Sequence, residues 1–245
     1  MAHHGDNKNV SSIKKQVGDI TYFERPIIEV DNDEYFRYAI QTHFVQRKES
    51  YLDLCKKYVK PLVKSKDILL LSEKIVAICQ DNTVAIEDVK LGWWAKNLSK
   101  LATSNDAGIG MDEPYKLQLA INIAGLPRIL FAVFCGGIGK ILGKDGWFYK
   151  VAGHGIAGID GFYKNSSFEV YHTMAILNPI DPDKVCKEIN ELLDIGAAIV
   201  DANDFGQELL GCYGIKDIDV FMKTIKDNPA GQDDELTPLV LIRRK

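Results

Sequence analysis

Three runs of four apolar residues, at positions 68–71, 197–200 and 239–242, contain no polar side chain. A continuous apolar run that short, bounded by turn or charge signals, reads as a buried strand rather than a helix. Lys66 and Asp67 turn the chain into the first run, Asp201 closes the second, and Arg243, Arg244 and Lys245 close the third.

Other segments supply the remaining elements. Residues 20–30 alternate apolar and polar with Pro26 inside, which suits an edge strand. Residues 42–45 read as a short extended piece, and the β-branched stretch 75–78 as a further strand-like piece directly after the first buried run. Helical spacing marks 50–63, through Leu52, Cys55, Tyr58, Val59 and Leu62, and 88–102, through Trp93, Trp94, Leu98 and Leu101. Pro114 suits the first turn of a helix over 115–124, and 125–127 separate it from a helix over 128–142. Residues 143–161 read as strand, turn, strand, ending in a loop at 158–161, and 170–177 as another strand. A turn at 178–182 caps a helix over 183–193, and 217–226 form a final helix. The element order is mixed rather than strictly alternating. The expected class is α+β, with mixed, largely antiparallel sheets and packed helices in two lobes. Residues 1–18 are expected to be a mobile start and 19–245 one domain, in one piece or as two intertwined lobes.

The net charge is -4 and the pI about 5.8, so there is no basic excess to attract nucleic acid. Five cysteines, Cys55, Cys79, Cys135, Cys186 and Cys212, form no CxxC pair. An odd, scattered set argues against a disulfide framework or a zinc knuckle and for reduced, packed thiols in a cytoplasmic protein. Residues 1–17 are polar, with no apolar core of a signal peptide. The most apolar region, 117–142, has its longest uncharged stretch at 129–139, short of the roughly 20 residues needed to span a bilayer. It reads as a buried amphipathic helix, with membrane contact as the lesser alternative, and no membrane partner is expected.

Acidic and amide side chains collect next to the buried runs. Asp160 follows a glycine-rich apolar piece. Asp201, Asn203 and Asp204 follow the run at 197–200. Gln232, Asp233, Asp234 and Glu235, behind Gly231, precede the run at 239–242. Strand ends cluster at sheet edges, so these oxygen-rich loops are able to converge. Hard cations such as magnesium or manganese choose such oxygens and commonly share them with phosphates. Each loop taken singly is better explained by an aspartate capping its own turn, and only the three together make the cation reading an equal alternative.

Several other motifs are excluded. The stretch 135–140 looks like a phosphate loop, but Phe134 stands where GxxxxGK[ST] needs a glycine and Ile141 where it needs Ser or Thr. A glycine-lined helix packed tightly is the better reading. The histidines, His43 and His154 among them, show no metal-ligand spacing, and no Gly-x-Ser-x-Gly elbow exists. Trp93, Trp94 and Trp147 read as core or interface.

Four motifs in order, Lys66 through Val76, Ala157-Gly158-Ile159-Asp160, Ile199 through Gly206, and Gly231-Gln232-Asp233 through Val240, resemble the coenzyme F-420:L-glutamate ligase (gamma-glutamyl ligase) family. The middle section, with Gly125-Leu126-Pro127-Arg128, the stretch Gly146 through Gly153, and Asp201-Ala202-Asn203-Asp204, resembles its bacterial ligase-like branch. The resemblance implies a gamma-glutamyl ligase-like fold, a homodimer, magnesium or manganese, and GTP or ATP as a substrate. It implies Asp160, Gln232 and the pair Asn203 and Asp204 as metal ligands, with Asp201 able to replace one of them. It implies that Thr42, His43, Phe44 and Val45, then Ser72, Glu73 and Lys74, and the neighbours of Gln232, hold the nucleotide, with Tyr163 beside the site. Three positions depart from the family pattern: Asn203-Asp204 stands for Asp-Thr, Ile78 for a lysine, and Tyr163 for an asparagine.

The expected function is a metal- and nucleotide-dependent amide-bond ligase that joins an amino acid to a carboxylate through an acyl phosphate, acting on small molecules. The alternatives are a non-catalytic nucleotide- or metabolite-binding protein on the same scaffold, and a homodimeric structural protein.

Overall fold

The structure, a computed structural model, describes residues 12–101, 111–144, 146–162, 172–203, 206–231 and 235–245. The chain divides into two units, and the segment Asn82–Asn178 forms the body of one that interrupts the other. The interrupted unit begins with the strands β1 (Ile13–Val17), β2 (Ile20–Val30) and β3 (Asp33–Ile40). Helix α1 (Tyr51–Leu54) then runs into a π-helical stretch, Cys55–Val59, followed by β4 (Ile68–Ser72) and α2 (Glu73–Cys79). The inserted unit holds β5 (Thr83–Ala85), α3 (Trp93–Leu98), α4 (Pro114–Ala124), α5 (Leu126–Ile141), α6 (Trp147–Ala152), α7 (His154–Ala157), β6 (Asp160–Gly161) and β7 (Met174–Ile176). The first unit resumes with α8 (Pro182–Leu193), β8 (Gly196–Asn203), β9 (Gly206–Tyr213), α9 (Ile218–Thr224) and β10 (Leu239–Arg244).

In the interrupted unit the described strands form one sheet in the order β1-β2-β3-β10-β4-β8-β9. Every pair is antiparallel except β4 with β8. Parallel neighbours need a long crossover, and the inserted unit with α8 lies between these two in the chain. The class is therefore α+β, with a mixed, largely antiparallel sheet.

The three apolar runs are the adjacent strands β10, β4 and β8, and their composition follows from burial on both faces. Leu70, Ala198, Val200, Val240 and Ile242 join one cluster with Phe221 of α9 and the following Ile225. The alternate residues Leu69, Leu71, Ala197, Ile199, Leu239 and Leu241 turn to the opposite face, none more than 1% exposed. Helix α2 packs on β4 and β8, and α8 on β8 and β9. Each such leucine contributes about 2 kcal/mol by leaving water.

Several local expectations need correction. Within the stretch 1–18, Ile13–Val17 is a strand paired with β2, while residues 1–11 lie outside the described ones. Strand β2 is not an edge strand, because β1 and β3 flank it. Pro26 is tolerated for another reason: β1 reaches only as far as Glu24, and the register with β3 shifts between Arg25 and Ile28. Residues 42–45 form a loop rather than an extended strand. The helix read over 50–63 starts as expected, with Ser50 accepting the Asp53 N–H at 3.2 Å, but widens into the π-helix after Leu54. The β-branched stretch 75–78 belongs to a helix: Ser72 ends β4 by donating its N–H to Pro238 O at 2.9 Å, and α2 starts at the next residue. Asp201 to Asn203 are paired strand rather than loop.

In the inserted unit a small antiparallel sheet, β5-β7-β6, packs with α4 to α7 around Leu117, Ala120, Ile129, Ile156 and Phe162. The expected strand-turn-strand over 143–161 is two short helices and β6. Gly146 (φ 78) and Gly153 (φ 104) bracket α6 rather than forming a hairpin turn. The stretch 135–140 is a tightly packed glycine-lined helix: a Cβ on Gly139 would stand 2.9 Å from Trp147 Cγ. Trp93 and Trp94 are not core, being 67% and 45% exposed.

Candidate functional site

Strand register gathers four of the singled-out segments at one end of the large sheet. Leu239, at the start of β10, stands opposite Ile40 on one side and Leu71 on the other. The residues after β3, the residues after β4 and the residues before β10 therefore meet there. On the next strand Ser72 is opposite Val200, so Asp201 and Asn203 emerge at the same end. This end carries Thr42, His43, Phe44 and Val45; Ser72, Glu73 and Lys74; Asp201 and Asn203; and Gly231 and Glu235.

Backbone bonds tie these segments together. Thr42 donates its N–H to Leu236 O at 2.9 Å, and Gln41 Nε2 donates to Glu235 O at 3.1 Å. Thr42 and Val45 are buried. His43 is more open, and its ring is held from both sides: Nδ1 lies 2.8 Å from Tyr58 Oη and Nε2 2.7 Å from Glu49 Oε2. Tyr58 sits in the π-helical stretch, whose wider turn sets its hydroxyl against the 42–45 loop. Tyr58 entered the sequence reading only as one of the periodic residues of 50–63, and Glu49, just before that segment, carried no signal.

Arg25 was also missed. Its side chain, 4% exposed, donates from Nε to Pro229 O at 2.9 Å and from an Nη to Glu235. Gly231 has φ 79, and a Cβ there would run into Glu235 and stand 2.7 Å from Arg25 Nη2. A glycine is thus required where the chain passes the Arg25–Glu235 pair. An arginine in an alternating strand carries no sequence signal for this role. Glu73 is buried and Lys74 half-buried. Ile78, one turn on, is 2% exposed and part of the core.

Asp160 lies in the inserted unit, in β6, paired with Ile176 of β7. It is thus a strand residue, not a loop residue. Lys116 of α4 lies in its field and is only 6% exposed. Burial pushes the Lys116 ammonium below its usual range, and the carboxylates of Asp160, Asp112 and Glu113 oppose that. Tyr115 anchors the same helix turn, its ring centroid 6.0 Å from that of Phe162. A buried cation beside Asp160 had no sequence signature, since a lone lysine in a helix reads as surface.

Tyr163, Asp204, Gln232, Asp233 and Asp234 lie outside the described residues. Among the described residues no three His, Cys, Asp or Glu side chains form a metal-holding group. The donors whose side chains are described, Asp160 in one unit and Asp201 in the other, each offer carboxylate oxygen, which suits magnesium or manganese and not a soft metal. All five cysteines are free. Burial pushes the Cys55, Cys79 and Cys186 thiols up to about 12, so these three are packing residues rather than nucleophiles. Two surface clefts, one beside Glu29 and Lys245 and one beside Ser12 and Phe36, include none of the expected site residues.

With this geometry in place, comparison with known proteins adds one match. The family model described as F420-0:gamma-glutamyl ligase matches residues 39–200. The matched stretch includes Thr42 to Val45, Ser72 to Lys74 and Asp160, and ends one residue before Asp201. No curated protein matches the chain.

Proposed function

Because the chain belongs to the F420-0:gamma-glutamyl ligase family, matched from residue 39 to residue 200, we propose that it is an amide-forming ligase driven by nucleotide hydrolysis. Its substrates are small molecules: GTP or ATP, a carboxylic acid and an amino acid. The carboxylate oxygen attacks the γ-phosphorus, the bond to the β,γ-bridging oxygen breaks, and nucleoside diphosphate leaves. The amine nitrogen then attacks the acyl carbon of the acyl phosphate, gives up a proton, and expels inorganic phosphate. Such a reaction needs positioned ligands and charge neutralisation more than a protein nucleophile.

The observation that carries this reading is the register that draws residues 42–45, 72–74 and 201–203, with Gly231 and Glu235, to one sheet end. In the proposal Thr42 to Val45 and Ser72 to Lys74 hold the nucleotide, Glu235 and the residues beside Gln232 line it, and Arg25 keeps that loop in place. Asp201 and Asn203, with Asp204 and Gln232, are the oxygen donors proposed for magnesium or manganese at this sheet end, and Asp160 is proposed as an oxygen donor within its own unit. A bound divalent cation supplies charge neutralisation at the phosphates. A cytoplasmic setting and a paired chain belong to the same proposal.

The test is phosphate release from GTP or ATP in the presence of manganese, glutamate and a panel of carboxylic acids. Asp160→Asn is expected to weaken manganese affinity at least about tenfold, the scale of losing one charged oxygen donor. Unchanged affinity in that variant would remove Asp160 from the site.

Ile78 favours a second reading. The residue standing where the family carries lysine is packed in the core, so that phosphate-facing charge is lost. A protein that binds a nucleotide or another metabolite without turnover is consistent with this. Stabilisation by nucleotide with no phosphate release, across the acid panel, would decide for it.

A further inference from the structure

The stretch 41–50, between β3 and α1, contains neither helix nor strand. A chain of side-chain hydrogen bonds nevertheless fixes it. An ionised carboxylate only accepts, so His43 Nε2, 2.7 Å from Glu49 Oε2, is the ring nitrogen that carries hydrogen. In the neutral ring Nδ1 is then an acceptor, and the Tyr58 hydroxyl, 2.8 Å away, donates to it. The Tyr58 oxygen in turn accepts the His43 backbone N–H at 3.2 Å. The second Glu49 oxygen accepts the Gln46 N–H at 2.6 Å. Donors and acceptors match along the whole chain.

Carboxylate, imidazole and hydroxyl in this order can activate the hydroxyl for attack. Burial decides against that use here. Tyr58 is 7% exposed, whereas the His43 side chain is 40% exposed. A hydroxyl shut into the core does not meet a substrate, so the chain holds the loop rather than reacting. What it holds is the open part of 42–45, since Thr42 and Val45 are already buried. The far end of the loop is tied to α2, with the Lys48 N–H donating to Ile78 O at 3.2 Å. Tyr58 itself is placed by the π-helical turn, in which the Lys60 N–H reaches back five residues to Cys55 O at 2.9 Å. Such turns are rare and recur at functional sites. We propose that Glu49, His43 and Tyr58 are positioning residues that pre-set the 42–45 loop for a nucleoside triphosphate, so that nucleotide affinity depends on them and phosphoryl transfer does not. This rests on the assignment of 42–45 to the nucleotide in the ligase reading. A loop ordered beforehand gives up little freedom on binding, which leaves more of the contact energy as affinity.

Equilibrium titration of the full chain with GTP and with ATP, in manganese, tests it. Tyr58→Phe keeps the ring and removes both bonds of the hydroxyl. It is expected to raise the nucleotide dissociation constant about tenfold, the scale of a lost hydrogen bond. His43→Phe is expected to act alike, and the double variant to be no weaker than the worse single one, because the two residues belong to one chain of bonds. In phosphate release, KM for the nucleotide rises in Tyr58→Phe while kcat holds. Nitrogen NMR of the wild-type ring is expected to show neutral His43 with its hydrogen on Nε2. Hydrogen on Nδ1 instead overturns the proposal, as do additive losses in the double variant or a fall in kcat at unchanged KM. Unaltered affinity in Tyr58→Phe overturns it too and leaves the ligase reading standing. Failure of the wild-type chain to bind either nucleotide overturns both.

Discussion

Asp67 shows how one side chain secures the entry to a central strand. It is fully buried, accepts the Lys64 N–H at 2.8 Å, and takes two bonds from Arg243 at 2.8 and 2.6 Å. Breaking a buried pair from one side strands the other charge, so Asp67→Ala is expected to lower the unfolding free energy by about 3 kcal/mol, measured by urea denaturation. The buried thiols make a prediction of a different kind. Burial holds Cys55, Cys79 and Cys186 at about 12, against an ordinary value of 9.0. Between those values the unfolded chain loses protons that the folded chain retains, so stability falls as pH rises through that window. Each thiol adds a slope of up to about 1.4 kcal/mol per pH unit, and Cys55→Ala is expected to flatten the profile of stability against alkaline pH. At the site, Arg25 and Lys116 are the residues that sequence reasoning could not reach. Each is a buried cation whose importance lies in a partner distant in the chain, Glu235 for one and Asp160 for the other.

Elements punctuated by proline or a capping aspartate were legible from the chain. Pro114 opens α4, Asp181 caps α8, and Asp217 caps α9 by accepting the Val220 N–H at 2.9 Å. Asp217→Ala is expected to cost about 1 kcal/mol in a denaturant titration, the usual loss for an N-cap. Elements defined by contacts were less legible. The stretch 75–78 looked like strand because Ile75, Val76 and Ile78 favour strands, but that preference is weak beside a buried helical face. Residues 143–161 looked like a hairpin because glycine marks turns, whereas here two of the glycines start and stop a helix. Strand β9 went unread because it is an edge strand with exposed Glu208 and Tyr213, and pairing with β8 rather than its own pattern makes it a strand. The packing of α5 on α6 gives the last prediction at this scale. Gly139→Ala would press a methyl group against Trp147 and is expected to destabilise by about 1–3 kcal/mol in the same titration.

For the molecule as a whole, the ligase reading and its binding-only rival both require that nucleotide stabilise the folded chain. At a ligand concentration one hundred times the dissociation constant the gain is about 2.7 kcal/mol, visible as a rise in melting temperature with GTP or ATP and manganese. A flat response with either nucleotide would count against both. The outline of the protein could be read residue by residue: an α+β class, three buried strands, and helices ended by proline, glycine and aspartate. That much is legible because apolar runs, caps and turn residues act over a few positions, and their physics is complete within a short window. The neighbour of each strand was not legible. Strand β10, last in the chain, enters between β3 and β4, and this insertion brings residues 42–45 and 72–74, with Glu235, to one place. No local pattern encodes that choice, because cross-strand contacts between residues far apart in the chain select the pairing, and their energy exists only once the whole sheet has assembled.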